Sequence, residues 1–124
     1  MNKRVLKPKT FARWMKKTEL TNEALCNAVD EMQQGLIDAD LGGNLYKKRV
    51  GIANRGKRGG VRTILATNLG SRWFFMFGYE KNDKENLSSE DKVVALGLAQ
   101  IFLGLTDAEL SMYLELNKLE EICT

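Results

Sequence analysis

The spacing of apolar residues changes twice along this chain, and those changes dictate a mixed fold. Up to about residue 36 the apolar side chains recur at helical intervals. Phe11, Trp14 and Met15 stand at i, i+3 and i+4, and Leu25, Val29, Met32 and Leu36 form a second stripe. Gly42 and Gly43 break the chain, and short runs rich in β-branched and aromatic residues follow at 45–52, 61–67 and 73–79. Helical spacing returns after Asn86. This order predicts an α+β domain with an N-terminal helical pair, an antiparallel β-meander of three to four strands, and C-terminal helices.

The punctuation fits that outline. A short strand over 3–6 leads into a helix over 8–17, and Thr21 caps a second helix over 22–34. The stretch 54–60 reads as a long glycine-rich loop, and 68–71 as a tight hairpin. Ser88 or Ser89 caps the next helix, whose stripe is Val94, Leu98, Ile101 and Leu105. Thr106-Asp-Ala-Glu109 is a capping box that opens a last helix running to about Ile122, with Met112, Leu116 and Leu119 on one side. Residues 1–105 then form the main domain, and 106–124 a helical extension packed on it.

Charge is unevenly distributed. Residues 1–84 carry 17 basic and 8 acidic side chains, whereas 85–124 carry 2 basic and 8 acidic. Between 41 and 79 there are eight cations and no acid: Lys47, Lys48, Arg49, Arg55, Lys57, Arg58, Arg62 and Arg72. A stretch of one sign builds a field that attracts polyanions.

Histidine is absent, which excludes the Ser-His-Asp triad and the HExxH zinc site. Cys26 and Cys123 lie far apart and read as reduced thiols of a cytosolic protein, with Cys26 an inert buried one. The basic N-terminus is followed by no apolar run that would make it a signal peptide, and 93–105 is too short to span a bilayer. Asp38 and Asp40 read as turn and loop caps rather than a metal pair. No metal or cofactor is expected.

Strand alternation puts Lys47 and Arg49 on one face and Tyr46, Val50 and Ile52 on the other. Lys48 shares the second face, with a stem long enough to reach solvent. Arg62 follows a glycine pair, and Tyr79 and Lys81 share parity at the end of the third strand. Lys47, Arg49, Arg62, Tyr79 and Lys81 are thus the catalytic candidates for one sheet face, and a bulge would shift the parity of any of them. Lys48, Arg55, Lys57, Arg58, Arg72 and Lys84 are the RNA-contacting candidates. RNA brings its own nucleophile, the 2′-hydroxyl, so a cationic site need only align it, stabilise charge and manage protons. Crowded cations favour tyrosinate and neutral lysine, a route to a base without histidine.

The runs Asp38-Ala-Asp-Leu-Gly-Gly43, Tyr46-Lys-Lys-Arg-Val50, Gly56-Lys-Arg-Gly-Gly-Val-Arg62 and Phe77-Gly-Tyr-Glu-Lys-Asn82 together resemble the RelE/HigB-type toxins of bacterial type II toxin–antitoxin systems, over about residues 1–100. The resemblance implies a compact α+β fold and a metal-independent mRNA interferase that cuts message in the ribosomal A site. Lys47 and Arg49 match the family's Lys-x-Lys/Arg strand, Arg62 its Gly-Gly-x-Arg arginine, and Tyr79 and Lys81 its late-strand Tyr-x-Lys element. Lys48 stands where an apolar residue is usual. The resemblance also implies a cognate antitoxin, often of helix-turn-helix type, and operator DNA bound through it, in the cytoplasm and without a membrane. Two alternatives share the fold or the charge: a ParE-like toxin acting on gyrase, and a non-catalytic RNA-binding module.

Overall fold

A computed structural model describes residues 3–52, 56–80 and 87–124, with the backbone alone for 56–59. The elements run β1 (Arg4–Pro8), α1 (Lys9–Met15), α2 (Asn22–Gln33), β2 (Ala39–Gly42), β3 (Leu45–Ile52), β4 (Gly56–Thr67), β5 (Arg72–Glu80), α3 (Ser89–Leu103), α4 (Asp107–Glu115) and β6 (Leu119–Ile122). The strands form one sheet in the order β2-β3-β4-β5-β1-β6. The meander is four strands, β2 to β5. β1 then lies parallel to β5, and β6 closes that side antiparallel to β1.

Both faces of the sheet are covered. On one, α1 and α2 pack Phe11, Leu25 and Val29 over Val50, Leu65, Trp73 and Phe75. On the other, α3 and the chain after it pack Ala95, Ala99, Phe102 and Leu110 over Leu45, Ile64, Phe74 and Met76. Thr21 accepts from the Ala24 amide at 3.1 Å and Ser88 from the Asp91 amide at 3.1 Å, so both expected caps form. The Thr106–Glu109 capping box closes in both directions.

Four sequence expectations are corrected. Only half of the expected α3 stripe faces the core: Leu98 and Leu105 pack against it, but Val94 and Ile101 are each 54% exposed, while Ala95 and Ala99 are fully buried. Small side chains let the helix lie close to the sheet, where Phe102 stacks on Phe74 at 5.2 Å. The last helix stops at Glu115 instead of reaching Ile122. Asn117 adopts φ +58, the Lys118 amide donates to the Tyr113 carbonyl and the Asn117 amide to that of Leu114. This is a Schellman ending, with asparagine in the left-handed position. It turns the chain into β6, where Leu119 and Ile122 are buried.

The glycine-rich stretch is mostly strand rather than loop, because β4 begins at Gly56 and pairs with Ile52. The register slips between there and Val61, and β4 crosses β3 so closely that a Cβ on Gly60 would lie 2.1 Å from the Val50 carbonyl oxygen. Finally, Cys26 and Cys123 are joined in a disulfide with Cα atoms 5.7 Å apart. The β1–β6 pairing carries the residue after β6 to α2, which no reading of residues 97 positions apart would reveal. Among the described residues no single helix is long and apolar enough to cross a membrane.

The charge asymmetry has a structural counterpart. Acids of the C-terminal part answer cations at the β1 side of the sheet: Glu121 takes Arg4 in two hydrogen bonds of 2.8 and 2.9 Å, and Glu120 lies 3.3 Å from the buried Lys7.

Candidate functional site

The site is built on β3, β4 and β5. Arg49 pairs with Arg62 across the β3–β4 ladder, and Arg62 with Tyr79 across the β4–β5 ladder. With strands about 4.8 Å apart, the three residues form a cross-strand row about 10 Å long. Lys47 lies two residues along β3 on the same face, opposite Ile64. This is the α3 face, since Leu45, Ile64 and Ala66 share the strand parity of these residues and pack under α3.

Tyr79 reaches that face through a bulge. Leu65 pairs with Phe75 but Ile64 with Phe77, so Met76 is an extra residue in β5. Before it, Trp73 and Phe75 pack toward α1 and α2; after it, Phe77 and Tyr79 pack on the α3 side. Without the bulge, Tyr79 would face the wrong core. Re-aiming a side chain is what bulges do next to sites. Gly78, beside it, lets Trp14 cover the opposite face, where a Cβ would lie 2.2 Å from the indole.

The electrostatics of the row are unusual. Two guanidinium residues directly opposite on one face repel. Arg62 is 8% exposed, and its Nη1 is buried without a hydrogen-bond partner among the described residues. Such an atom costs free energy that a core normally avoids, on the order of 1–3 kcal/mol and more for a charged group. An anionic oxygen is the chemical partner that would satisfy both features. Tyr79 is 3% exposed. Burial pushes its phenol above the ordinary tyrosine range, and the Arg62 charge pulls it down by less. Of the two routes to a base that crowded cations offer, the tyrosinate one is therefore not favoured at Tyr79, whose phenol stays protonated at neutral pH. Arg49 is the exposed member of the row, and its Nε lies 3.7 Å from Asp38 Oδ1.

Other candidates lie elsewhere. Lys48 does not reach solvent. Its side chain is 3% exposed on the α2 face, and Nζ pairs with Glu31 at 2.8 Å, so it is withdrawn as an RNA contact. Arg72 sits at the far end of β5, about 23 Å of strand from Tyr79. It is spent on the Leu105 carbonyl and on Asp107 at 2.7 Å, and it too is withdrawn. Lys57 and Arg58 belong to β4, and their side chains lie outside the described residues, as do Arg55, Lys81 and Lys84 altogether. Asp40 accepts from the Gly42 amide at 2.9 Å, the local cap expected of it. Asp38 does something the sequence reading missed, reaching the Arg49 amide at 2.6 Å.

Residues 3–122 match the family model described as the RelE toxin of the RelE/RelB toxin–antitoxin system. The match therefore includes α4 and β6, beyond the span over which the motifs alone resemble that family. No curated protein gives a significant match to the chain.

Proposed function

Because the chain belongs to the RelE toxin family, the toxin side of a toxin–antitoxin system, we propose that it is an endoribonuclease that arrests translation by cutting mRNA on the ribosome. The observation that carries the reading is the cross-strand row of Arg49, Arg62 and the protonated Tyr79, in which the buried Arg62 Nη1 has no hydrogen-bond partner among the described residues. A phosphodiester oxygen, increasingly negative as the reaction proceeds, is the ligand such a group would stabilise.

In the proposed reaction the substrate 2′-oxygen attacks the adjacent phosphorus. The O2′–P bond forms as the P–O5′ bond breaks, and the proton released by the 2′-hydroxyl is matched by the one taken up at the departing 5′-oxygen, leaving a 2′,3′-cyclic phosphate and a 5′-hydroxyl. Arg62 stabilises the charge on the non-bridging oxygens. Lys47 and Arg49 hold the phosphate from β3. A guanidinium does not give up its proton in water, so Lys47 is the member of that pair able to exchange one. Tyr79, being protonated, donates a hydrogen bond and orients the sugar rather than acting as base. Lys81 is assigned a further phosphate contact from the family motif, and Arg55, Lys57, Arg58 and Lys84 backbone contacts along the strand. No metal or cofactor enters the scheme. The partner is a cognate antitoxin, through which the pair would bind operator DNA; the site of action is cytoplasmic.

Induction of wild type and Arg62→Ala at equal levels, followed by primer extension on a translated message, tests this. Wild type should produce new 5′ ends within the reading frame, and Arg62→Ala should produce none and relieve growth arrest. DNA damage without RNA cuts would transfer the protein to the gyrase-targeting class. Ribosome binding without cuts would make it a non-catalytic RNA-binding module.

A further inference from the structure

We propose that Asp38 is a positioning residue for this site, acting through Arg49; the inference rests on the nuclease reading above. The regular β2–β3 ladder ends at the pair Ala39–Lys47. One residue further out, the chain grips β3 by other means. The Asp38 amide donates to the Lys47 carbonyl at 3.1 Å. Its Oδ2 accepts from the Arg49 amide at 2.6 Å, and its Oδ1 lies 3.7 Å from Arg49 Nε. Three contacts from one residue thus fall on the stretch that bears Lys47 and Arg49. Where β2 stops, the Arg49 N–H would stand on an open strand edge, and the carboxylate takes the place of the missing strand.

The second role is electrostatic. The Arg49 side chain is 48% exposed and long, so without a partner it would sample many rotamers. A carboxylate beside Nε leaves the terminal nitrogens to face a phosphate while restricting those rotamers before substrate arrives. An exposed pair of this kind adds little to stability, so its consequence should be felt in the alignment of the phosphate. Glu31 holds the intervening Lys48 from the other face, so residues 47 to 49 are fixed from both sides.

The test is single-turnover cleavage of message on programmed ribosomes by the full chain. Asp38→Ala should lower the maximal rate about tenfold with KM changed less than about twofold. Asp38→Asn keeps an acceptor for the Arg49 amide and loses the charge, and should fall between. Arg49→Ala with Asp38→Ala should lose far less than the product of the two single losses, because the side chain through which Asp38 mainly acts is already gone. Asp38→Ala at the wild-type rate, or losses that multiply in the double variant, would overturn the inference while leaving the nuclease reading intact. Should Asp38→Ala fail to fold, the Asp38→Asn cycle decides in the same way. Wild type that cuts no message removes the parent reading and this inference with it.

Discussion

Tyr79 stands directly opposite Arg62 across the β4–β5 ladder, and burial raises its phenol further than the guanidinium lowers it. In a spectrophotometric titration Tyr79 should ionise above ~10, the ordinary tyrosine value. Arg62→Ala removes the opposing charge and should push it higher still. A folded pKa raised above the unfolded one contributes stability that is present below ~10 and is lost as pH rises through the folded value. Cleavage should therefore show no gain from tyrosinate near neutrality, and Tyr79→Phe should lose rate without shifting the pH profile at its acidic end. A tyrosine titrating below ~10 in wild type, assigned by its absence in Tyr79→Phe, would contradict this account.

Arg62 should trade stability for activity. A buried guanidinium with an unsatisfied nitrogen, opposite a second arginine, is a burden on the fold. Arg62→Met keeps much of the side-chain volume and removes the charge. Urea unfolding should find it as stable as wild type or more so, by about 1 kcal/mol, while message cleavage is abolished. A loss of several kcal/mol would mean that Arg62 holds the fold together.

How much of this was legible beforehand varies with the range of the interaction. β3 was readable because alternation from Leu45 to Ile52 follows a glycine pair, and the Thr21, Ser88 and Thr106 caps are read within four residues of chain. Parity along β3 assigned Lys48 to the face opposite Lys47 and Arg49. Its burial against Glu31 depends on how α2 packs, which parity does not carry. β6 was missed because Leu119 and Ile122, three apart, suit a helix as well as a strand, and only pairing with β1 decides. Asn117 was the local signal for the break. Helical spacing alone puts Val94 and Ile101 inward with Leu98 and Leu105, yet the Ala95–Ala99 row makes the closer approach and leaves the first two outside. The Met76 bulge, which aims Tyr79, leaves no mark that composition could show.

The disulfide should be a large contributor to stability. Cys26 and Cys123 are 97 residues apart, so the bond restrains nearly the whole unfolded chain. For a loop of that size the entropic contribution is about 4.7 kcal/mol. Unfolding in urea with and without a thiol reductant should show a loss of this order in wild type. The double variant Cys26→Ser, Cys123→Ser should already be at the lower value and should ignore the reductant. Equal midpoints for oxidised and reduced wild type would show that the β1–β6 ladder alone holds the C-terminus.

Glu121 supplies the acid end of the stability profile. The Arg4 guanidinium donates two hydrogen bonds to its carboxylate and holds it below the ordinary glutamate range, against a smaller opposing effect of burial. A depressed folded pKa contributes stability that is present above the unfolded value of ~4.3 and is lost as pH falls through the folded one. Glu121→Gln should therefore cost about 1 kcal/mol at neutral pH. That cost should shrink as pH falls below ~4 and vanish once wild-type Glu121 is itself protonated. Arg4→Gln should show the same convergence, because it removes the partner that keeps Glu121 ionised. A Glu121→Gln deficit that stays constant down to the acid transition would mean that the side chain acts through packing rather than through its charge.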